Sequence, residues 1–131
     1  MDDCKIYLDS VNFDFWYKKI IRKISDKRVV LYGAGILFQY ITEHYDLSKL
    51  NIIGLSDTKF DCFDSNEKYL GYSIIRKADI LKMNPDVILI TTKNYVDIIL
   101  DFENNAEYKN VKILPLIKKS TWHIIKELWR R

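Results

Sequence analysis

The stretch Arg28-Val29-Val30-Leu31-Tyr32-Gly33-Ala34-Gly35 decides how this chain is read. After the arginine come four apolar residues, two of them β-branched, the mark of a strand buried on both faces. A glycine directly after such a strand lets the backbone reverse tightly at positive φ. A second glycine two residues on removes the Cβ that would keep an anion away from the next helix's N-terminus. That helix follows at once, with Leu37 and Ile41, joined by Tyr40 and Tyr45, on its inward side. The usual third glycine of such a turn would fall at residue 38, where this chain has Phe38.

Working outward, Asn51 to Leu55 reads as a second strand that ends at Ser56-Asp57. The polar stretch from Thr58 to Lys68 reads as a mobile loop. Gly71 to Ile75 is a short third strand, and Lys77 to Met83 a short helix that stops before Pro85. Asp86 to Ile90 is the strongest strand signal. Val96 to Glu103 is a helix with Ile98, Ile99 and Phe102 inward, and Val111 to Leu114 a fifth strand closed by Pro115. Two amphipathic helices flank this core: about 10–24, carrying Phe13, Trp16, Ile20 and Ile24, and about 121–129, carrying Trp122, Ile125, Leu128 and Trp129. Strands that alternate with helices predict an α/β fold, a five-stranded parallel Rossmann-like sheet of order 3-2-1-4-5 in three layers. The whole of 1–131 is expected to form one nucleotide-binding domain with its core at 28–115, its ligand crevice beyond strands one and four.

Composition narrows the function classes. With 48% hydrophobic and 30% charged residues the chain has material for a core and is not disordered. A net charge of +3, with signs mixed along the chain, suits an anionic small molecule and does not mark a nucleic-acid binder. Cys4 and Cys62 lack CxxC spacing and are expected as reduced thiols. The acidic, mixed start MDDCKIYLDS is not a secretory signal, and the apolar run at Val87–Ile90 is far too short to span a bilayer. A soluble, cytoplasmic protein is expected. The basic residues Lys18, Lys19, Arg22 and Lys23 would suit anionic lipid, but membrane association is not the expectation. The aromatic helices at the two ends are expected to mediate self-association or to dock a partner protein.

The candidate site follows from the fold. Amides of Gly33, Ala34, Gly35 and Ile36 would bind phosphate. Asp57, at the end of strand two, either accepts hydrogen bonds from ribose hydroxyls or caps the loop that follows. Thr91, Thr92, Lys93, Asn94 and Tyr95 face the same crevice. They would hold a sugar or second phosphate, with Tyr95 stacked on a base; alternatively Thr92 or Asn94 caps the next helix. His44 and His123 have no metal spacing, and no metal is expected. There is no Tyr-x-x-x-Lys pair and no GxxxxGK[ST], so no catalytic residue is identified.

The runs Val29–Gly35, Ile53–Asp57, Leu70–Ile74 and Pro85–Ile90 together resemble the small Rossmann-like nucleotide(-sugar)-binding domains of bacterial surface-polysaccharide biosynthesis. These include the N-terminal domains of sugar acetyltransferases and of membrane-linked epimerase/dehydratases, and copies that stand beside glycosyltransferases. The resemblance covers about 28–115. It implies a module that binds a nucleotide-sugar or NAD(H) through the glycine turn and the acid after strand two. An NAD(P)-dependent oxidoreductase or epimerase, whole or as a fragment, and a ligand-free interaction scaffold remain as alternatives.

Overall fold

The computed structural model describes residues 3–61 and 67–118. Two helices open the chain, α1 (Asp3–Ser10) and α2 (Phe13–Ile24). They are separated where Asn12 takes a left-handed conformation at φ 55, so the helix expected at about 10–24 begins at Phe13 and a further helix, α1, precedes it. Strand β1 (Arg28–Tyr32) leads through the glycine turn into α3 (Ile36–His44), then β2 (Asn51–Ser56). A short 3-10 turn at Thr58–Phe60 and a two-stranded hairpin, β3 (Lys68–Tyr69) and β4 (Tyr72–Ser73), come next. The 3-10 helix Lys77–Met83, β5 (Val87–Ile90), α4 (Tyr95–Glu103), a 3-10 turn at Ala106–Tyr108 and β6 (Lys112–Pro115) complete the described chain.

The main sheet is parallel and has four strands, in the order β2-β1-β5-β6. The fifth strand expected at 71–75 is not formed. Residues Tyr72–Ser73 fold back on Lys68–Tyr69 instead, around Leu70 and Gly71, both at positive φ. The Ile74 N–H is spent on the Glu67 carbonyl. What reaches β2 is a single parallel bridge, Leu55 to Ile74, with Ile75 N–H donating to the Leu55 carbonyl. The hairpin takes the hydrogen bonds that a strand would have given to the sheet.

Side chains alternate across the sheet, which is therefore covered on both faces. Val29 and Leu31 of β1 pack with Leu55, Val87 and Leu89 under α1, α2 and α3. Val30 and Tyr32 pack with Ile88, Ile90 and Ile113 under α4 and Ile80. Helix α2 is fastened to the first face by Phe13, 1% exposed, whose ring meets those of Tyr17 and Tyr45. The Trp16 indole N–H donates to the Pro115 carbonyl at 3.0 Å. Phe13 and Trp16, expected at an interface, thus belong to the fold of the domain itself. The expected helix at 121–129, with Trp122 and Trp129, lies outside the described residues, as do Cys62 and His123.

The chain leaves β1 toward β2 on one side and returns to β5 on the other, so the sheet order reverses between β1 and β5. In open α/β sheets the ends of such neighbouring strands are where ligands bind. Among the described residues, no helix is long and apolar enough to cross a membrane.

Candidate functional site

The turn after β1 is held from two sides. Gly33 sits at φ 120, its N–H donating to the Ser56 carbonyl at the end of β2 at 2.8 Å while its Cα faces the chain after β5. A Cβ on Gly33 would lie 2.5 Å from Thr92 Cγ2 and 2.6 Å from Thr91 Oγ1. Glycine is therefore required both by the dihedral and by the close approach of the chain after β5. The Thr91 hydroxyl, in a residue 1% exposed, lies within hydrogen-bonding range of the Tyr32 and Gly33 carbonyls. Thr92 is half-buried, and its Oγ1 is a buried atom with no hydrogen-bond partner. Thr91 thus locks the turn to β5, with its hydroxyl engaged by the turn itself. Beside it, burial pushes the Tyr32 phenol above its ordinary range, a shift that the nearby Lys77 partly offsets.

On the β2 side, one short segment clasps both backbone polar groups of Ala34. Its N–H donates to Asp57 Oδ2 at 2.6 Å, and its carbonyl accepts from the Lys59 ammonium at 2.6 Å. Asp57 Oδ1 accepts from the Lys59 backbone N–H at 3.1 Å, capping the turn Thr58–Phe60, and from the Thr58 hydroxyl at 3.3 Å. The Lys59 ammonium also lies over the Tyr69 ring, 4.6 Å from its centroid. Of the two roles open to Asp57, the cap is observed, and the bond to Ala34 is added to it. Lys59 is a site residue that sequence reasoning missed. The loop expected at 58–68 is ordered at its start, where Phe60 is fully buried; residues 62–66 lie outside the described chain.

Gly35 differs from Gly33 in every respect. Its φ of −88 and ψ of −167 are open to any residue, and a Cβ there would meet nothing within 4 Å. It caps the N-terminus of α3, and no side chain caps that helix. The Gln39 N–H to the Gly35 carbonyl, 3.0 Å, is the first bond of the helical type. The amides of Ile36, Leu37 and Phe38 therefore have no partner within the helix. Ile36 is 78% exposed, so this end of α3 faces solvent. Uncapped donors, the positive end of the helix dipole and free space are what a small anion needs. Phe38 is fully buried and packs against Tyr72, which anchors the hairpin beside the turn.

The loop after β5 contributes less than expected. Lys93 places its ammonium 4.3 Å from the centroid of the Tyr7 ring on α1. Asn94 stands at the N-cap of α4, but its side chain makes no capping bond. Tyr95 is 6% exposed and packed in the core with Ile80, Ile88 and Phe102, so its expected stacking on a base is corrected. His44 stacks on Tyr40, and its Nδ1 lies 2.9 Å from the Tyr40 carbonyl oxygen. A separate groove of about 730 Å3 on the α4 face is lined by Asp61, Arg76, Lys77, Leu81, Glu107 and Tyr108. Its two cations are already neutralised, Arg76 by Asp79 and Lys77 by Asp101.

Residues 25–114 match the family of C2185-like N-terminal domains. The chain belongs to this family. The matched segment of this C2185-like domain contains the glycine turn, the Asp57–Lys59 clasp and the loop after β5, while α1 and α2 precede it. No curated protein matches the sequence.

Proposed function

We propose that this domain binds the phosphate of a nucleotide or nucleotide-sugar and serves bacterial polysaccharide or sugar-nucleotide metabolism in the cytoplasm. The observation that carries the reading is the uncapped N-terminus of α3, with empty space where a Gly35 side chain would stand. The amides of Gly35 to Phe38 take the phosphate. Asp57 keeps its bonds to Ala34, Thr58 and Lys59, three of the roughly four acceptor sites a carboxylate offers. The remaining site serves a ribose hydroxyl. The same negative charge disfavours a 2′-phosphate, so NAD(H) or a uridine nucleotide binds better than NADP(H). Thr92 and Asn94 remain for the sugar, and Thr91 and Tyr95 have no direct part. On this reading the segment 72–75 stands where the outer strand of a Rossmann-type sheet of order 3-2-1-4-5 would lie.

Thermal melting with UDP-sugars, NAD(H) and NADP(H) tests the proposal. A ligand at about 100 times its Kd stabilises the folded state by about 2.7 kcal/mol, and Gly35→Asp abolishes that gain. A second reading, a scaffold without a ligand, is favoured by the clasp on Ala34, because it satisfies one amide of the turn internally. It predicts no stabilisation by any of these compounds.

A further inference from the structure

Helix α2 has two unlike faces. Phe13, Ile20, Ile21 and Ile24 are buried, and Trp16 and Tyr17 pack against the same core. The opposite face carries Phe15, Lys18, Lys19, Arg22 and Lys23, spaced i, i+3, i+4, i+7 and i+8. Phe15 is 66% exposed. Among the described residues the ion pairs are those of Lys5, Arg76, Lys77 and Lys82; the four cations of α2, like Lys27 and Lys49 beside them, form none. The acids along its flank are engaged elsewhere: Asp14 accepts from the Tyr45 hydroxyl at 2.7 Å, and Asp46 from the Ser48 N–H at 2.9 Å. The hollow between the five outward side chains is lined by them alone. That hollow is the open face of one helix; Lys18 and Arg22 also border a second hollow, shared with Asp46 and Lys49 from the segment between α3 and β2.

We propose that this face rests on an anionic lipid bilayer, the four cations at the headgroups and the Phe15 ring at the acyl boundary. Charge selects the occupant. A second copy meeting the same face would set like charges against each other, and the chain's own segment 119–131 holds Lys119, Lys126, Arg130 and Arg131 against the single acid Glu127. A partner helix would need an apolar groove, and the hollow shared with Asp46 is lined mainly by polar and charged side chains; an open basic face with one apolar ring suits a planar anionic surface. That no helix among the described residues can cross a membrane bears on insertion and leaves surface contact open. Helix α2 lies outside the matched family segment, so this contact is separate from the nucleotide site.

Co-sedimentation of the full chain with vesicles tests the proposal. Binding is expected with about 40% phosphatidylglycerol in phosphatidylcholine, not with phosphatidylcholine alone, and it falls as salt rises. Neutralising two cations in Lys18→Gln/Arg22→Gln lowers vesicle affinity about 25-fold, and Phe15→Ser lowers it about tenfold. Both changes are on exposed positions, so the melting temperature stays unchanged. Failure of the wild type to bind anionic vesicles overturns the proposal. So does unchanged binding by the double variant, which would place the contact in another basic segment. Equal binding to heparin, insensitive to Phe15→Ser, would show a site for polyanions in general and would also overturn it.

Discussion

The two glycines of the turn should respond to substitution in opposite ways. Gly33→Ala puts a side chain at φ 120, with its Cβ 2.5 Å from Thr92 Cγ2 and 2.6 Å from Thr91 Oγ1. The dihedral costs about 1–3 kcal/mol, and the crowding, partly against a residue 1% exposed, about 1–3 kcal/mol more. The sum of about 2–6 kcal/mol is a large part of the stability of a small domain and lowers Tm by about 10 °C or more. Gly35→Asp does the reverse. Its backbone already has the extended conformation of an N-cap, its Cβ enters open space, and α3 lacks a side-chain cap. A carboxylate there satisfies an amide of the first turn and complements the helix dipole, a gain of about 0.5–1 kcal/mol. It also occupies the anion's place, so nucleotide affinity falls at least about tenfold, the effect of losing one charge-assisted contact. Urea denaturation gives the two stabilities and calorimetric titration the affinity. The reasoning is refuted if Gly35→Asp destabilises the domain as Gly33→Ala does, or if it is stabilised and binds nucleotide as tightly as the wild type.

Asp57→Ala should cost about 2 kcal/mol in the absence of any ligand, because it leaves the Ala34 N–H unpaired and the 58–60 turn uncapped; Asp57→Asn, which keeps an acceptor for only one of the two backbone N–H groups, should still cost about 1 kcal/mol or more. Unchanged denaturation midpoints for Asp57→Ala would show that the residue is held for a ligand alone. Stability should also fall on the alkaline side. Burial holds the phenols of Tyr17, Tyr32, Tyr45, Tyr72 and Tyr108 above their ordinary range, Tyr45 most of all, where the bond to Asp14 adds to the shift. A raised folded-state value favours the neutral phenol, so this stability is complete below about pH 10 and is lost as the pH climbs beyond it. Denaturation midpoints should drop between about pH 10 and 12, less steeply in Tyr45→Phe; a flat profile would contradict the assignment.

The four sheet strands were legible because each is a short, nearly continuous apolar run, the pattern of a parallel strand covered on both faces. The missing fifth strand has a physical reason. Leu70 and Gly71 form the loop of a hairpin, whereas the run from Gly71 to Ile75 predicts a strand; a glycine between Tyr69 and Tyr72 is itself a turn signal. The burial of Tyr95 was also readable, since Tyr95, Ile98, Ile99 and Phe102 recur at helical spacing, as a buried stripe does. The break at Asn12 left only a weak trace, asparagine being the residue other than glycine that most readily turns left-handed. The clasp on Ala34 left none. It depends on the direction of one N–H and one carbonyl, met by side chains 23 and 25 residues away. The glycine turn could be located from sequence, but only geometry separates Gly33, a packing requirement, from Gly35, the open position.

The central claim is that α3 begins in an anion site. Following backbone amide resonances of the 131-residue chain while a nucleoside diphosphate is titrated in tests it most directly. Saturable shifts centred on Gly35, Ile36, Leu37 and Phe38, lost in Gly35→Asp, are predicted. The claim is contradicted if these four amides stay still at millimolar ligand, or if the saturable shifts gather instead around Arg76, Lys77 and Tyr108.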